Sequence, residues 1–348
     1  KTNLKISVPE NGKCYLKLIY YLKKEMPLLE ENHILGFDEI EVSQKDAKCQ
    51  LAEKWLEKTA TDSELQVNED DTQIHIKGRE FAYTIDRRTA LFTEMKFAGR
   101  EYLNHPMELN IWRAPTDNDM YIKAEWKKAH YDKAYTRAYT TEVVQGKHGV
   151  KIVSHASVVA ETVQKILDVT ITWKIDASGK IDADIEATKD GEFPELPRFG
   201  VRMFLDKKLS DARYFGMGPQ ESYRDKHQAA SHGLYRANVR DLHEDYIRPQ
   251  ENGSHYDCGY VELNNSRYGM AAFSESTFSF NASYYTQEEL EKKTHNYELA
   301  ESDSVVLCVD YALNGIGSNS CGPVVLDQYR FNDVLFRFQF TLVPYVKG

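Results

Sequence analysis

Short segments in which apolar and polar residues alternate recur along most of this chain. A period of two residues is typical of β-strands that bury one face. Turn residues such as Ser178-Gly179 separate neighbouring segments. The pattern predicts strands at residues 14–22, 34–42, 73–77, 81–86, 150–159, 162–175, 181–188, 198–205, 259–263, 268–273, 277–281, 305–311 and 335–342.

Helical periodicity is scarce. It predicts one helix at residues 123–134 and a second, short helix at 286–293. Thr286 has the position of an N-cap, and Glu289, three residues later, has that of its capping-box partner. Many strands and few helices favour a large antiparallel sandwich. The chain lacks the serial strand–helix units of a TIM barrel, so that fold is excluded here.

Residues 214–253 form a long polar block between predicted strands. The block contains a turn at Gly218-Pro219 and further breaks at Pro249 and Asn252-Gly253. We expect it to be too irregular for a simple strand or helix. A long ordered polar segment of this kind is usually functional or forms an interface.

Composition narrows the class of partner. The 348 residues are 41% hydrophobic and 28% charged, with a formal net charge of −10. This acidic balance argues against nucleic acid and against an anionic membrane surface as partners, and it suits a neutral ligand. The 22 tyrosines offer flat apolar faces with hydroxyl groups, which suits sugar recognition, although tyrosine is also common in strands. No apolar run is long enough to span a bilayer.

The five cysteines lie far apart along the sequence. No pair has the close spacing of a zinc site, and an odd number is unlike a disulfide framework. We therefore expect a reducing compartment, the cytoplasm. We expect no signal peptide. Because the first residue is Lys1 rather than Met, we expect a piece excised from a longer protein, and a separate small subunit is the alternative that stays open.

Four blocks occur in a fixed order: WRAPTDND at 112–119, GMGPQESYRD at 216–225, RPQENG at 248–253 and NGIGSNSCGP at 314–323. In this order they resemble the C-terminal domain of the β-galactosidases of glycoside hydrolase family 2. That domain also occurs as a separate small subunit. The resemblance implies an all-β fold, a large antiparallel supersandwich of the galactose mutarotase type at residues 71–348. It also implies the C-terminal part of an immunoglobulin-like β-sandwich at 1–48 and a linker at 49–70.

The same resemblance implies a function for the full enzyme, which hydrolyses terminal β-D-galactosides such as lactose with retention. Its two catalytic glutamates lie on a TIM barrel that this chain does not contain, so we expect no catalytic residue and no activity in the isolated chain. The implied partner is the TIM-barrel part or large subunit. We expect Mg and Na on that barrel, no metal or cofactor in this chain, and an oligomer in the full enzyme.

Three carboxylates in conspicuous loops, Glu221, Asp225 and Glu251, would be the candidates for a local catalytic pair. Such positions are more typical of structural turn carboxylates. In WRAPTDND, Arg113 is expected to fix the loop by pairing with Asp117 or Asp119, and these three residues form a structural motif with Asn118. The alternative is that this loop faces a ligand.

The resemblance also implies substrate contacts. Residues 120–125 correspond to a mobile loop at the mouth of the family's active site, with Lys123 in it and Tyr121 where a family member has a hinge glycine. The loop at 314–323 corresponds to the family's Gly-Ile-Gly loop, which in some members presents a tryptophan that stacks on the aglycone sugar. Cys321 takes that position in a loop one residue shorter, and a thiol offers far less stacking area. We therefore expect a weaker glucose subsite around four residues, Ser318, Asn319, Cys321 and Gly322.

Other interpretations of the same segments remain open. The glycines of the 314–323 loop could simply form turns. The histidines of the polar block show no metal-binding spacing, and we expect surface or hydrogen-bonding roles for His227, His232, His243 and His255. A standalone aldose 1-epimerase would need a histidine and a carboxylate, for which Glu221 and either of the first two histidines are candidates. A non-catalytic carbohydrate-binding or assembly module is the third possibility.

Overall fold

The computed structural model describes residues 5–8, 12–42, 51–52 and 65–347. The chain divides into two compact units, Lys1–Leu56 and Glu57–Gly348. The division falls within the predicted linker at 49–70, of which residues 49–50 and 53–64 lie outside the described residues.

The first unit contains an antiparallel pair of strands, β1 at Tyr15–Tyr21 and β2 at Ile34–Glu41. Tyr15 lies opposite Glu41, and the ladder runs to Tyr21 opposite Ile34. Both strands were predicted from alternation. Two strands alone are marginally stable, and their assignment to an immunoglobulin-like sandwich stays a prediction.

The second unit is built almost entirely of strands. Its described strands are β3 Gln66–Glu69, β4 Gln73–Lys77, β5 Phe81–Asp86, β6 Leu91–Phe97, β7 Arg100–Glu101, β8 Leu103–Asn110, β9 Tyr135–Gln145, β10 Gly149–Val159, β11 Leu167–Asp176, β12 Ile181–Lys189, β13 Arg198–Asp206, β14 Asp211–Gly218, β15 Ser231–Asn238, β16 Ser254–Asn264, β17 Tyr268–Ser283, β18 Ser304–Leu313 and β19 Leu335–Val346. Its described α-helices are α1 Ile122–Lys128 and α2 Gln287–Lys292. No described helix has the length and apolar character needed to cross a membrane.

These strands form two antiparallel sheets. The smaller sheet has the order β3-β4-β5-β6-β7, and β3 lies within the predicted linker, which therefore ends earlier than expected because Val67 pairs with Ile76. The larger, twelve-stranded sheet follows β15-β14-β16-β17-β19-β12-β11-β10-β9, with β18 pairing to β17, β13 to β18 and β8 to β13. The predicted all-β class with a large antiparallel sheet is confirmed.

Apolar side chains from both sheets share one core. Along β11, buried and partly exposed residues alternate as the period of two requires. Trp173 of β11 packs edge-on against Phe92 of the smaller sheet with ring centroids 4.9 Å apart, and its indole nitrogen donates to the carbonyl oxygen of Ala90 at 2.8 Å. The Tyr83 hydroxyl likewise donates to the carbonyl of Gly179. The sheets are thus joined by ring packing and by buried hydrogen bonds.

The polar block is more regular than predicted. Its first residues end β14, and residues 231–238 form all of β15, so the expectation of no simple strand between 214 and 253 is wrong. β15 is the last strand of the larger sheet and pairs only with β14 among the described strands. An edge strand with one neighbour tolerates polar residues on its open side, which hides the alternation from the sequence.

The two helices differ from the predicted ones, α1 in its length and α2 in its capping. The helix predicted at 123–134 ends at Lys128, because His130 has the left-handed φ of 57° and the chain continues as a short 3₁₀ turn. In α2, the Thr286 hydroxyl accepts from the amide of Glu289 at 3.1 Å, as an N-cap does. The Glu289 carboxylate accepts from the amide of Ala300 rather than closing the predicted capping box.

The predicted strands at 268–273 and 277–281 form the single strand β17. Its first part pairs with β19 and its last part with β18. The polar residues Ser274-Glu275-Ser276 lie where the strand changes partner. These residues resemble a turn in the sequence because fewer apolar side chains pack against this part of the strand.

Candidate functional site

Loops at one rim of the second unit enclose a cleft of about 750 Å³. We call it the candidate cleft. Its walls come from four loops: the WRAPTDND segment after β8, the loops on either side of β15, and the loop between β18 and β19. All four sequence blocks that carried the resemblance contribute to this rim or border it.

Arg113 joins the first of these loops to the last. Its guanidinium is fully buried and makes a bidentate pair with Asp119, at 3.1 Å from Nε and 2.7 Å from Nη2. It also donates to the carbonyl oxygens of Asn314 and Gly315 at 2.6 and 3.0 Å. Burial opposes the charge of Arg113, but Asp119 outweighs it and holds the pKa of the guanidinium above its usual value. Arg113 is therefore saturated by structural contacts.

The other members of the predicted motif extend this connection. Asn118 donates to the carbonyl of Gly317 at 2.6 Å and accepts from the Ser320 hydroxyl at 2.8 Å. Asp117 pairs with Gln250, which accepts from the Asp117 amide and donates to its carboxylate. WRAPTDND thus contacts both the 314–323 loop and the RPQENG turn.

Asp225 fixes the 314–323 loop from a third side. Its carboxylate accepts from the amides of Ile316 at 2.9 Å and Gly317 at 2.7 Å. Gly317 has a φ of +64°, which favours glycine, and an added Cβ would lie 2.6 Å from Val325. These glycines can therefore form turns and still belong to a loop that is held in one position, so the two interpretations from the sequence are compatible.

A second buried arginine lies beneath the candidate cleft. Arg198 of β13 pairs with Asp310 of β18 at 3.1 and 2.5 Å, and its Nη1 lies 3.3 Å from the Glu251 carboxylate. The Glu251 amide donates to the carbonyl of Ala114. We call Arg113, Arg198, Asp119, Asp310 and Glu251 the charged cluster.

The charged cluster contains three carboxylates and two guanidinium groups. Burial raises the pKa of Glu251, although Arg198 and Arg113 oppose the rise. Burial also raises the pKa of Asp310 against the influence of Arg198. Burial in a dry site disfavours the charged form of a carboxyl, which is why these two carboxyls hold their protons more firmly than usual.

Glu221 organises the outer wall. It accepts from Lys226 and from the Tyr246 hydroxyl, and its second oxygen accepts from the amide of Gly253 at 2.8 Å. Lys226 also donates to Tyr246 at 2.7 Å. The three carboxylates considered as a local catalytic pair are each engaged in hydrogen bonds or ion pairs that hold loops together.

The predicted substrate-binding residues are divided by the structure. Ser318 lines the candidate cleft, whereas Asn319, Cys321 and Gly322 follow it in a tight turn closed by the Gly322 amide and the Ser318 carbonyl at 2.7 Å. Cys321 is exposed, with its sulfur 4.0 Å from the Ser320 hydroxyl.

Tyr121 and Lys123 do not line the candidate cleft. Tyr121 is the N-cap residue of α1, 62% exposed, with a φ of −94° that any residue adopts. A glycine at this position would therefore not be required for the conformation described.

The four histidines of the polar block have separate surroundings. His227 lies 3.0 Å from the carbonyl of Tyr223, and His232 lies 2.9 Å from Asp257. Burial lowers the pKa of His243, and it lowers the pKa of His255 to about 4. Across the described ranges, no group of three or more His, Cys, Asp or Glu residues is arranged to hold a metal ion.

Sequence reasoning missed Arg198 and Asp310. A usable signal was present: Asp310 interrupts the apolar run Val305-Val306-Leu307-Cys308-Val309 within one strand. A carboxylate in such a run needs a buried partner. The sequence does not identify that partner, because Arg198 lies on another strand.

The molecule is thus defined as a large all-β domain with a polar cleft formed by interlocked loops. The family model for the β-galactosidase small chain matches residues 77–342. This chain belongs to the β-galactosidase small-chain family.

Individual relatives agree with this assignment. A β-galactosidase of Actinobacillus pleuropneumoniae is 42% identical over 342 residues, 98% of this chain and 33% of that protein. A β-galactosidase of Staphylococcus xylosus is 32% identical over 326 residues, 93% of this chain and 32% of that protein. The chain therefore spans about a third of the length of these relatives. A galactose 1-epimerase of Lactobacillus acidophilus has a TM-score of 0.43 and 8% identity, covering 82% of this chain and 99% of that structure.

Proposed function

We propose that this chain is the C-terminal part or small subunit of a β-galactosidase. With its TIM-barrel part or large subunit it hydrolyses terminal β-D-galactosides such as lactose, with retention of anomeric configuration. The barrel supplies both catalytic glutamates, and this chain completes the active-site wall and the aglycone subsite. The family assignment does not favour a standalone epimerase or binding module.

The observation that carries this proposal is the anchoring of the 314–323 loop. Arg113 and Asn118 of the WRAPTDND segment and Asp225 of the loop between β14 and β15 hold its backbone by five hydrogen bonds of 3.0 Å or less. A loop so constrained keeps one conformation, which a positioning role requires. A loop that served only to reverse the chain direction would need far fewer contacts.

The surface around the candidate cleft supports a protein partner. Val324 and Leu326 line the cleft with 56% and 61% of their surface exposed, and Ile247 in a neighbouring loop is 95% exposed. Exposed aliphatic residues grouped at a rim are typical of an interaction surface. We assign the barrel part as the occupant because the relatives contain about two further thirds of chain beyond the matched region.

Metal chemistry is placed outside this chain by the same proposal. Mg and Na belong to the barrel part, as the family resemblance implies. The full enzyme is an oligomer in the cytoplasm, a location that the free thiols of Cys258, Cys308 and Cys321 support.

A complementation assay tests the central claim. The chain and a separately purified barrel part are each expected to leave nitrophenyl β-D-galactoside intact, and their mixture is expected to hydrolyse it. NMR of the mixture should show β-galactose as the first product, before mutarotation. Hydrolysis by this chain alone, or α-galactose as the first product, would contradict the proposal.

The aglycone subsite has its own test in the complemented enzyme. Cys321→Trp should tighten glucose as an acceptor or inhibitor, because an indole adds stacking area. Cys321→Ser is the matched control and should leave glucose affinity unchanged. Tyr121→Gly and Lys123→Ala extend the test to the start of α1. Unchanged glucose affinity in all of these variants would remove these residues from the subsite.

A further inference from the structure

The four loops that line the candidate cleft are joined by hydrogen bonds in a closed ring. The WRAPTDND segment is bonded to the 314–323 loop, which is bonded to the loop between β14 and β15. That loop is bonded to the loop between β15 and β16, which returns to the WRAPTDND segment. The side chains that make these links are, in order, Asn118, Asp225, Glu221 and Gln250. A change at one link can therefore reach a loop that the changed residue does not contact.

Gln250 makes the last of these links from within the RPQENG turn. This residue is 8% exposed. Its side-chain oxygen accepts from the Asp117 amide at 3.0 Å, and its side-chain nitrogen donates to the Asp117 carboxylate at 3.1 Å. The same nitrogen donates to the carbonyl oxygen of Arg248 at 3.0 Å. The opposite orientation of the side-chain amide would place two donors together at the Asp117 nitrogen, so these bonds fix the side chain in one orientation.

Asp117 passes this constraint to the next residue. Asp117 and Asn118 are consecutive residues of one 3₁₀ turn, and because the peptide bond between them is planar and stiff, a shift of Asp117 also moves Asn118. Asn118 donates to the carbonyl of Gly317 at 2.6 Å. Gln250 itself makes no hydrogen bond to the 314–323 loop among the described residues. The shortest bonded route from Gln250 to that loop therefore runs through Asp117 and Asn118.

We propose that Gln250 is a positioning residue for the 314–323 loop. It holds the turn at Asp117, and Asn118 of that turn then holds Gly317. The importance of this role for catalysis rests on the proposed function, which assigns the 314–323 loop to the aglycone subsite. The competing explanation is that Gln250 only closes its own turn, in which case the 314–323 loop does not respond to its loss.

Hydrogen exchange of the 348-residue chain tests the proposal. The reporter is the Gly317 amide, which donates to Asp225 at 2.7 Å and exchanges when the loop opens. Gln250→Met removes the polar atoms of the side chain and should accelerate this exchange about two- to tenfold, the range that one hydrogen bond contributes. Gln145→Met is the matched control, because the Gln145 side chain donates to the Leu65 carbonyl away from the candidate cleft. This control should leave exchange at Gly317 unchanged.

A double-mutant cycle with Asn118 identifies the route. Asn118→Ala removes its last step, so Gln250→Met should cause no further acceleration at Gly317 in that background. Additive effects of the two substitutions would show that Gln250 acts by another route or by general destabilisation. That result, or exchange at Gly317 unchanged by Gln250→Met alone, would overturn the proposal.

Asp117 supplies an independent test that applies even if urea denaturation shows that Gln250→Met does not fold. Asp117→Ala removes the carboxylate acceptor and leaves Gln250 in place, and should also accelerate exchange at Gly317. Asp117→Asn keeps an acceptor oxygen for the Gln250 side chain and should retain the slow exchange. Equal exchange rates in these two variants would contradict the proposal. No barrel part is needed for these measurements, so a negative result would leave the proposed function standing, and failure of complementation would leave the exchange result standing.

Discussion

The aromatic core and the charged cluster are equally buried but are stabilised differently. In the core, Trp173 and Phe92 contribute mainly by removing apolar surface from water, which depends weakly on orientation. In the charged cluster, Arg198 is stable only while Asp310 and Glu251 remain opposite it. The core therefore tolerates small changes of shape, whereas the cluster requires specific partners. Because these partners come from different parts of the chain, their pairing also holds the loops above the cluster in place.

The largest effect is expected from breaking the cluster. Arg198→Met leaves two buried carboxylates without their cation, and should lower the free energy of unfolding by about 3–5 kcal/mol, measured by urea denaturation. Arg337→Met is the control. Arg337 pairs with Asp184 at the surface, where the Arg337 side chain is 54% exposed, so its loss should change the free energy of unfolding far less, because solvent screens exposed ion pairs. Equal losses in both variants would mean that burial does not distinguish these ion pairs.

A smaller, local effect is expected where the cluster's loops meet the 314–323 loop. Asp225→Ala removes an ionised acceptor from two amides, and hydrogen bonds to charged groups contribute about 1.5–3 kcal/mol. Hydrogen exchange at Ile316 and Gly317 should accelerate at least tenfold. Asp225→Asn keeps one acceptor oxygen and should protect one of the two amides. Unchanged exchange in Asp225→Ala would show that the loop is held without Asp225.

The core should respond less to a conservative change. Ile185 of β12 is fully buried, and Ile185→Val deletes one methylene group, at a cost of about 0.5–1.5 kcal/mol. Activity in the complementation assay should be unchanged, because Ile185 contacts neither the cleft nor its loops. A larger decrease in the free energy of unfolding, or a loss of activity, would mean that the core depends on specific contacts as the charged cluster does.

The smallest effect concerns pH. Burial raises the pKa of Glu251, so the folded chain binds this proton more tightly than the unfolded chain. Its contribution to stability is therefore present below the ordinary pKa and is lost as pH rises through the raised, folded value. The Glu251→Gln variant has no carboxyl group at this position, so it does not lose stability in this way as pH rises. The free energy of unfolding of the variant, relative to the unchanged chain, should increase from pH 4 to pH 7, and a constant difference would contradict the raised pKa.

Much of the fold followed from alternation. β4 and β5 have the predicted bounds, and β10, β12 and β13 differ by one residue at an end. β6, β8, β9 and β14 were not predicted, and β15 was hidden in the polar block. β8 illustrates the reason: exposed Asn104, His105 and Pro106 interrupt its apolar positions, so no local period emerges.

The candidate site was predictable in its segments but not in its contacts. WRAPTDND and the other blocks lie in the loops that meet at the candidate cleft, and Arg113 was expected to pair with a nearby acid. Asn118 and Asp225 meet the 314–323 loop across 199 and 92 residues of chain. Such contacts depend on the register of strands that are distant in sequence, and a local sequence pattern carries no information about that register.

The sequence by itself determined the all-β class, because alternation with a period of two residues is a local property of the strand. It also determined the family, because four ordered blocks are a property of the chain. Only the tertiary structure decided which buried charges neutralise one another. Arg198 reaches Asp310 across 112 residues and Glu251 across 53. That choice follows from the pairing of β13 with β18, which the packing of whole sheets selects.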